Sequence, residues 1–140
     1  MNCVSRIAVL FLSGTFLAGC VTAGGPTRAF PSPGARPSAT KISALGGGLI
    51  GGAIGQDLSR ADRMKALEAE YQALEYTQGG RAVSWSGGDD DRGEVVAAQP
   101  YRVGSQDCRQ YVHTLYSGNA SQTARGTACR NADGSWSLLS

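Results

Sequence analysis

Hydrophobic and polar positions change their spacing several times along this chain, and each change marks a boundary. Ile7 to Phe16 is a nearly unbroken apolar run behind a single cation, Arg6. At ten residues it falls short of the ~20 needed to span a bilayer, and it has the layout of a secretory signal peptide. Val21 to Lys41 has no period and carries Pro26, Pro31, Pro33 and Pro37 among small residues, which predicts a disordered spacer. Ile42 to Gly55 reads ISALGGGLIGGAIG, with Gly47, Gly51 and Gly55 in one four-residue row and Gly48 and Gly52 in a second. From Asp57 the pattern becomes helical. Ser59-Arg60-Ala61-Asp62 has the form of a capping box, and Met64, Leu67, Tyr71 and Leu74 make one apolar stripe. Arg63, Lys65, Glu68, Glu70 and Glu75 cover the other faces, and Gly79-Gly80 supplies the stop.

Beyond Arg81 the period shortens to that of strands. Four or five are expected: Arg81 to Ser86, Glu94 to Tyr101, Cys108 to Tyr116, Ser121 to Cys129 and Ser135 to Leu139. Gly87 to Asp91, Gly118-Asn119 and Asp133-Gly134 separate them, and Pro100, which cannot donate to a ladder, places an edge or a strand end beside it. A two-residue loop at Gly118-Asn119 sets Ser117 against Ala120 and so fixes the register of its hairpin. Counting back, Cys108 falls opposite Cys129 in a non-hydrogen-bonded pair, close enough for a disulfide, and Tyr111 falls opposite Gly126, where its ring can cover the glycine. The fold class is therefore α+β: one amphipathic helix on a small antiparallel sheet of four to five strands, with a disulfide-stapled hairpin. The expected organisation is a signal peptide over 1–19, a linker over 20–41 that begins at Cys20, a glycine-zipper segment over 42–55 and an α+β domain over 56–140.

The glycine segment admits two readings. On a helix its small residues share a face and let backbones approach closely in lipid or against a second copy. Its apolar length is about two-thirds of a span and each Gly costs about 1 kcal/mol of helix propensity in water, so a mobile hinge is the other reading.

Leu17-Ala18-Gly19-Cys20 follows the apolar run directly and resembles a bacterial lipobox. That resemblance implies a diacylglyceryl group on the Cys20 thiol, cleavage after Gly19 and acylation of the new amino terminus, which together hold a protein stably on a bilayer. No Asp follows Cys20, so the inner-membrane retention signal is missing and the outer membrane is the expected address. Lys and Arg total 13 against 11 Asp and Glu, which gives no electrostatic case for nucleic acid. Of four cysteines, Cys3 leaves with the signal peptide and Cys20 takes lipid. Cys108 and Cys129 remain as an even pair in an exported protein, where a disulfide is the default.

Site chemistry is sparse. The single histidine, His113, lies five residues from Cys108 on one strand, so the two face opposite ways, and it reads as a half-exposed sheet residue. One His and a bonded Cys pair make no zinc site, and no cofactor is called for beyond the lipid on Cys20. Asp89, Asp90 and Asp91 lack the spacing of a calcium loop and read as a solvated turn. Trp85 and Trp136 read as core aromatics beneath the helix.

The glycine segment, Asp62-Arg63, Val83-Ser84-Trp85, Cys108-Arg109 and above all Gly126-Thr127-Ala128-Cys129-Arg130-Asn131-Ala132-Asp133-Gly134-Ser135-Trp136 resemble the rickettsial 17 kDa surface antigen family of outer-membrane lipoproteins. The resemblance implies a lipid on Cys20, a helix-plus-sheet domain and an envelope role without enzymatic activity. The chain departs from the family in its short glycine segment and its Asp89 to Asp91 run. The expected function is thus a non-catalytic structural or surface-antigen role. Its partners are membrane lipid through Cys20 and, through the glycine segment, a second copy. A rival reading is an anchored module that inhibits a hydrolase such as lysozyme or a protease, with Gly87 to Gly93 as its probing loop.

Overall fold

The structure, a computed structural model, describes residues 39–139. Cys20, the signal peptide and most of the linker lie outside the described residues. A short helix α1 (Ala39–Ser43) leads through tight turns and a 3-10 turn (Ala53–Gly55) into the main helix α2 (Arg60–Glu75). Six strands follow: β1 (Ala82–Ser86), β2 (Arg92–Ala97), β3 (Tyr101–Val103), β4 (Gln106–Ser117), β5 (Ala120–Arg130) and β6 (Trp136–Leu138). They form one antiparallel sheet in the order β1-β2-β4-β5-β6, with β3 also paired to β4.

Helix α2 starts where its capping residues place it. The Ser59 hydroxyl accepts from the Asp62 amide at 3.1 Å and donates to the Asp62 carboxylate at 2.7 Å. The buried stripe is rotated from the expected one. Leu67, Tyr71 and Leu74 are buried with Ala66, Ala69, Glu70 and Ala73, whereas Met64 is 45% exposed. Three alanines let the helix lie close to the sheet, so its contact face widens toward Glu70 and away from Met64.

The β4–β5 hairpin has the expected register. Ser117 faces Ala120, Tyr111 faces Gly126, and Cys108 faces Cys129, with Cα atoms 4.0 Å apart across the disulfide. The cover over Gly126 is different, because Tyr111 turns toward the helix. A Cβ at Gly126 would stand 2.8 Å from Leu49 Cδ2, so the glycine makes room for Leu49 instead. The sixth strand arises at Pro100. Strand β2 stops at Ala97, the chain bends through Ala98 to Pro100, and β3 resumes pairing farther along β4, at Gln106 to Cys108.

The glycine segment is neither one helix face nor a free hinge. Gly46, Gly47 and Gly48 all have positive φ, which a right-handed helix does not contain, and Gly51, Gly52 and Gly55 follow in turns and the 3-10 turn. Ile42, Leu45, Ile50, Ile54 and Leu58 are at most 7% exposed and belong to the same core as Leu74, Val95, Tyr111, Leu115 and Trp136. Residues 42–58 therefore form a strap over the domain, and the boundary expected between a glycine segment and the α+β domain is not a boundary of the core. No helix among the described residues is long and apolar enough to cross a membrane.

Candidate functional site

Polar side chains concentrate where strap, helix and sheet meet. Glu70 sits on the sheet-facing side of α2 with no exposed surface, against its expected place on a solvated face. Four donors reach its carboxylate. Leu49 N (3.0 Å) and Ile50 N (2.9 Å) come from the strap, and the Tyr111 hydroxyl (2.9 Å) and His113 Nδ1 (2.7 Å) come from β4. A carboxylate only accepts, so the four bonds satisfy it without a formal cation in contact. The strap can approach because position 48 is glycine: φ is +63°, and a Cβ there would collide with Glu70 Oε2 and stand 2.7 Å from Leu67 Cδ1.

His113 is fully buried rather than half-exposed, since β4 alternates Arg109, Tyr111, His113 and Leu115 onto the core face. Trp85 Nε1 is 2.9 Å from His113 Nε2. An indole N–H only donates, so Nε2 accepts and the ring proton sits on Nδ1, facing Glu70. The two rings meet edge to face. A carboxylate that orients an imidazole is a feature of general-base sites, but here the nitrogen that would act as base is already filled by Trp85. The arrangement is suited to holding three layers together. Burial, and then the neighbouring Glu70 charge and bond, raise the Tyr111 phenol well above its ordinary range, so it stays a donor.

A second cluster closes the C-terminal end of α2. Arg130 makes a two-pronged pair with Glu75 at 2.8 Å on each arm, and Trp136 Nε1 donates to the same carboxylate at 2.8 Å. Burial opposes the Glu75 charge, but the Arg130 and Trp136 bonds outweigh it and hold the carboxyl below its ordinary value. The Tyr71 hydroxyl donates to Gly134 O at 2.9 Å, and burial lifts its pKa to about 12. Arg109, 5% exposed, caps the helix C-terminus, donating to Ala73 O, Leu74 O and Thr77 O, with Ala98 O as a fourth acceptor. Its cation is balanced by the negative end of the helix, and desolvation lowers its pKa.

These contacts account for most of the C-terminal motif between Arg130 and Trp136. Arg130 and Trp136 hold Glu75, and Gly134 turns with φ +84° under Tyr71. Asn131 donates to Ser135 and Ser137, and Asp133 accepts from the Ser135 amide and hydroxyl. Trp85 and Trp136 are core aromatics, as expected. Asp89 and Asp90 take positive φ in a turn closed by Gly87 N to Asp91 O, while the Gly88 amide donates to Asp62. The loop expected to probe a hydrolase is thus tied back to the helix N-terminus. Glu70 and Arg109 escaped the sequence reading. Glu70 carried a signal, standing three residues after Leu67 and four before Leu74. Arg109 carried its part in the Cys108-Arg109 pair but no sign that it would cap the helix.

A family model described as 17 kDa outer membrane surface antigen matches residues 72–137, which span Glu75, Arg109, Tyr111, His113 and the C-terminal motif. Relatives extend the likeness. The 17 kDa surface antigen of Rickettsia bellii is 30% identical over 99% of both chains. That of Rickettsia felis is 36% identical over 59% of this chain and 53% of its own, and that of Rickettsia rickettsii is 34% identical over the same shares. No solved structure matches. With a relative aligned along its whole length and the motif explained by the wiring of helix to sheet, the chain belongs to the 17 kDa surface antigen family.

Proposed function

We propose that the protein is an outer-membrane lipoprotein, anchored by acyl chains on Cys20, whose α+β domain has a structural or antigenic role in the cell envelope and no catalytic one. The full-length match to a surface antigen carries this reading, because it runs through the segment that holds the lipobox-like Leu17-Ala18-Gly19-Cys20 as well as the folded domain. The buried centre supports the non-catalytic part: Glu70 and His113 have no exposed surface, and His113 Nε2 is occupied.

Intact mass of the protein from the membrane fraction, with and without reductant and beside a Cys20→Ser variant, tests the reading. The expected product begins at Cys20, carries three acyl chains, gains the mass of two hydrogens on reduction and loses its lipid in the variant. An unlipidated chain cut at another site would overturn the anchor and leave the domain assignment in place.

A further inference from the structure

We propose that the groove at the N-terminal end of α2 is a docking surface for an anionic lipid bilayer, so that the domain lies on its membrane by one defined face. The groove has a volume of about 440 Å³ and is lined by Gly47, Arg60, Arg63, Met64 and Leu67. Its apolar part is open to solvent, since the buried face of α2 is rotated away from Met64, which is 45% exposed. Gly47 has no side chain, which leaves the floor of the groove free.

Two cations edge this apolar floor, and no carboxylate lines it. Arg63 is held in place by the carbonyls of Gly55 (3.0 Å), Gln56 (3.3 Å) and Leu58 (3.3 Å), which fix the guanidinium without cancelling its charge. The Arg60 side chain is exposed, with no hydrogen bond or ion pair among the described residues. The positive end of the α2 dipole lies at the same place. An apolar side chain between two guanidinium groups matches the boundary between phosphate and acyl chain in an anionic lipid layer, with Met64 inward and the cations at headgroup level.

The proposal rests on anchoring through Cys20. Two cations and one methionine bind a bilayer weakly when free in solution, and a tether raises the local concentration of lipid enough to fill such a surface. Chain length permits contact. The stretch from Cys20 to Ala39 can reach roughly 60 Å when extended, whereas α2 is only about 24 Å long.

The test uses the full mature chain with Cys20→Ser and an N-terminal histidine tag held on vesicles that contain a nickel-chelating lipid, which supplies a tether whether or not Cys20 is acylated in the cell. Met64→Trp provides a probe at the groove, and brominated acyl chains quench an indole that enters the bilayer. Quenching on phosphatidylglycerol vesicles, absent on phosphatidylcholine, with the docked population reduced about tenfold by Arg60→Glu, is the expected result. Arg60→Glu and Met64→Gln should melt like the parent, and Met64→Gln should lower docking in a pull-off assay with competing salt. No quenching on anionic vesicles by a chain that remains tethered would overturn the docking surface and leave the lipid anchor standing. Quenching that ignores lipid charge or Arg60→Glu would overturn the anionic specificity. A blue shift without lipid, accompanied by dimer in sedimentation velocity, would assign the groove to a second copy and overturn the proposal.

Discussion

Glu70→Ala removes the carboxylate at the buried centre and leaves Leu49 N, Ile50 N, the Tyr111 hydroxyl and His113 Nδ1 facing an empty space. Unsatisfied buried donors cost about 1–3 kcal/mol each where no water replaces the acceptor, and contributions within one network do not add. The expected loss is about 4 kcal/mol, read from urea unfolding, together with faster amide exchange at Leu49 and Ile50. Equal stability would mean that the strap holds by apolar contact alone. At Glu75 the sign of the pH effect follows from a carboxyl held below its ordinary value in the folded chain. Such a group contributes stability above its unfolded pKa, about 4.3, and that contribution is lost as pH falls through the lower folded value. Asp62 and Asp133 are depressed as well, mainly by their bonds from Ser59 and Ser135, and add to the same acid limb. Thermal melts should therefore fall between about pH 5 and pH 3, with a flatter profile in Glu75→Gln.

Among the elements, the β4–β5 hairpin has the longest ladder, ten pairs from Cys108–Cys129 to Ser117–Ala120. The turn closes one end and the disulfide the other, so neither end can fray freely. Joining residues 21 apart in sequence should add about 3 kcal/mol by limiting the unfolded chain. A Cys108→Ala, Cys129→Ala chain should lose about that much in urea, with exchange rising first at β3 and β6, which flank the crosslinked end. Uniform loss along the hairpin would point to a turn that cannot hold register by itself. Helix α2 depends on sheet residues over its C-terminal half: Glu70 is bonded from β4, and Arg109 of β4 caps its last carbonyls. These bonds satisfy Glu70 on the buried face, which is why a stripe shifted toward it can still face the sheet.

For the domain as a whole, the strap decides how much chain is needed to fold. Ile42, Leu45, Ile50, Ile54 and Leu58 contribute to the one core, and the strap amides complete Glu70. A chain beginning at residue 56 would expose the carboxylate and several large apolar side chains of α2 and β4. Limited proteolysis of the native protein should leave residues 42–58 uncut and attached. Rapid cleavage at Leu49 or Ile50 would mean that the strap opens in solution. The packing also bears on the envelope role, since a strap committed to the domain core is not available as a membrane helix while the fold is intact.

The α2 start at Ser59, the turn at Gly118-Asn119, the Cys108–Cys129 pairing and the burial of Trp85 and Trp136 were all determined by the sequence by itself. The first three depend on neighbours within a few residues or on a register that one tight turn propagates, and the two indoles follow from how few large apolar residues so small a core has to draw on. The tertiary structure alone decided that Glu70 and His113 are buried, that Arg109 ends the helix, that Gly126 admits Leu49, and that the glycines make a strap rather than a zipper. Those outcomes depend on partners from 20 residues away, as for Glu70 and Ile50, to 77, as for Gly126 and Leu49. A polar side chain can be buried only where distant donors and acceptors happen to meet it, and a glycine's empty side acquires meaning only from the group that comes to fill it.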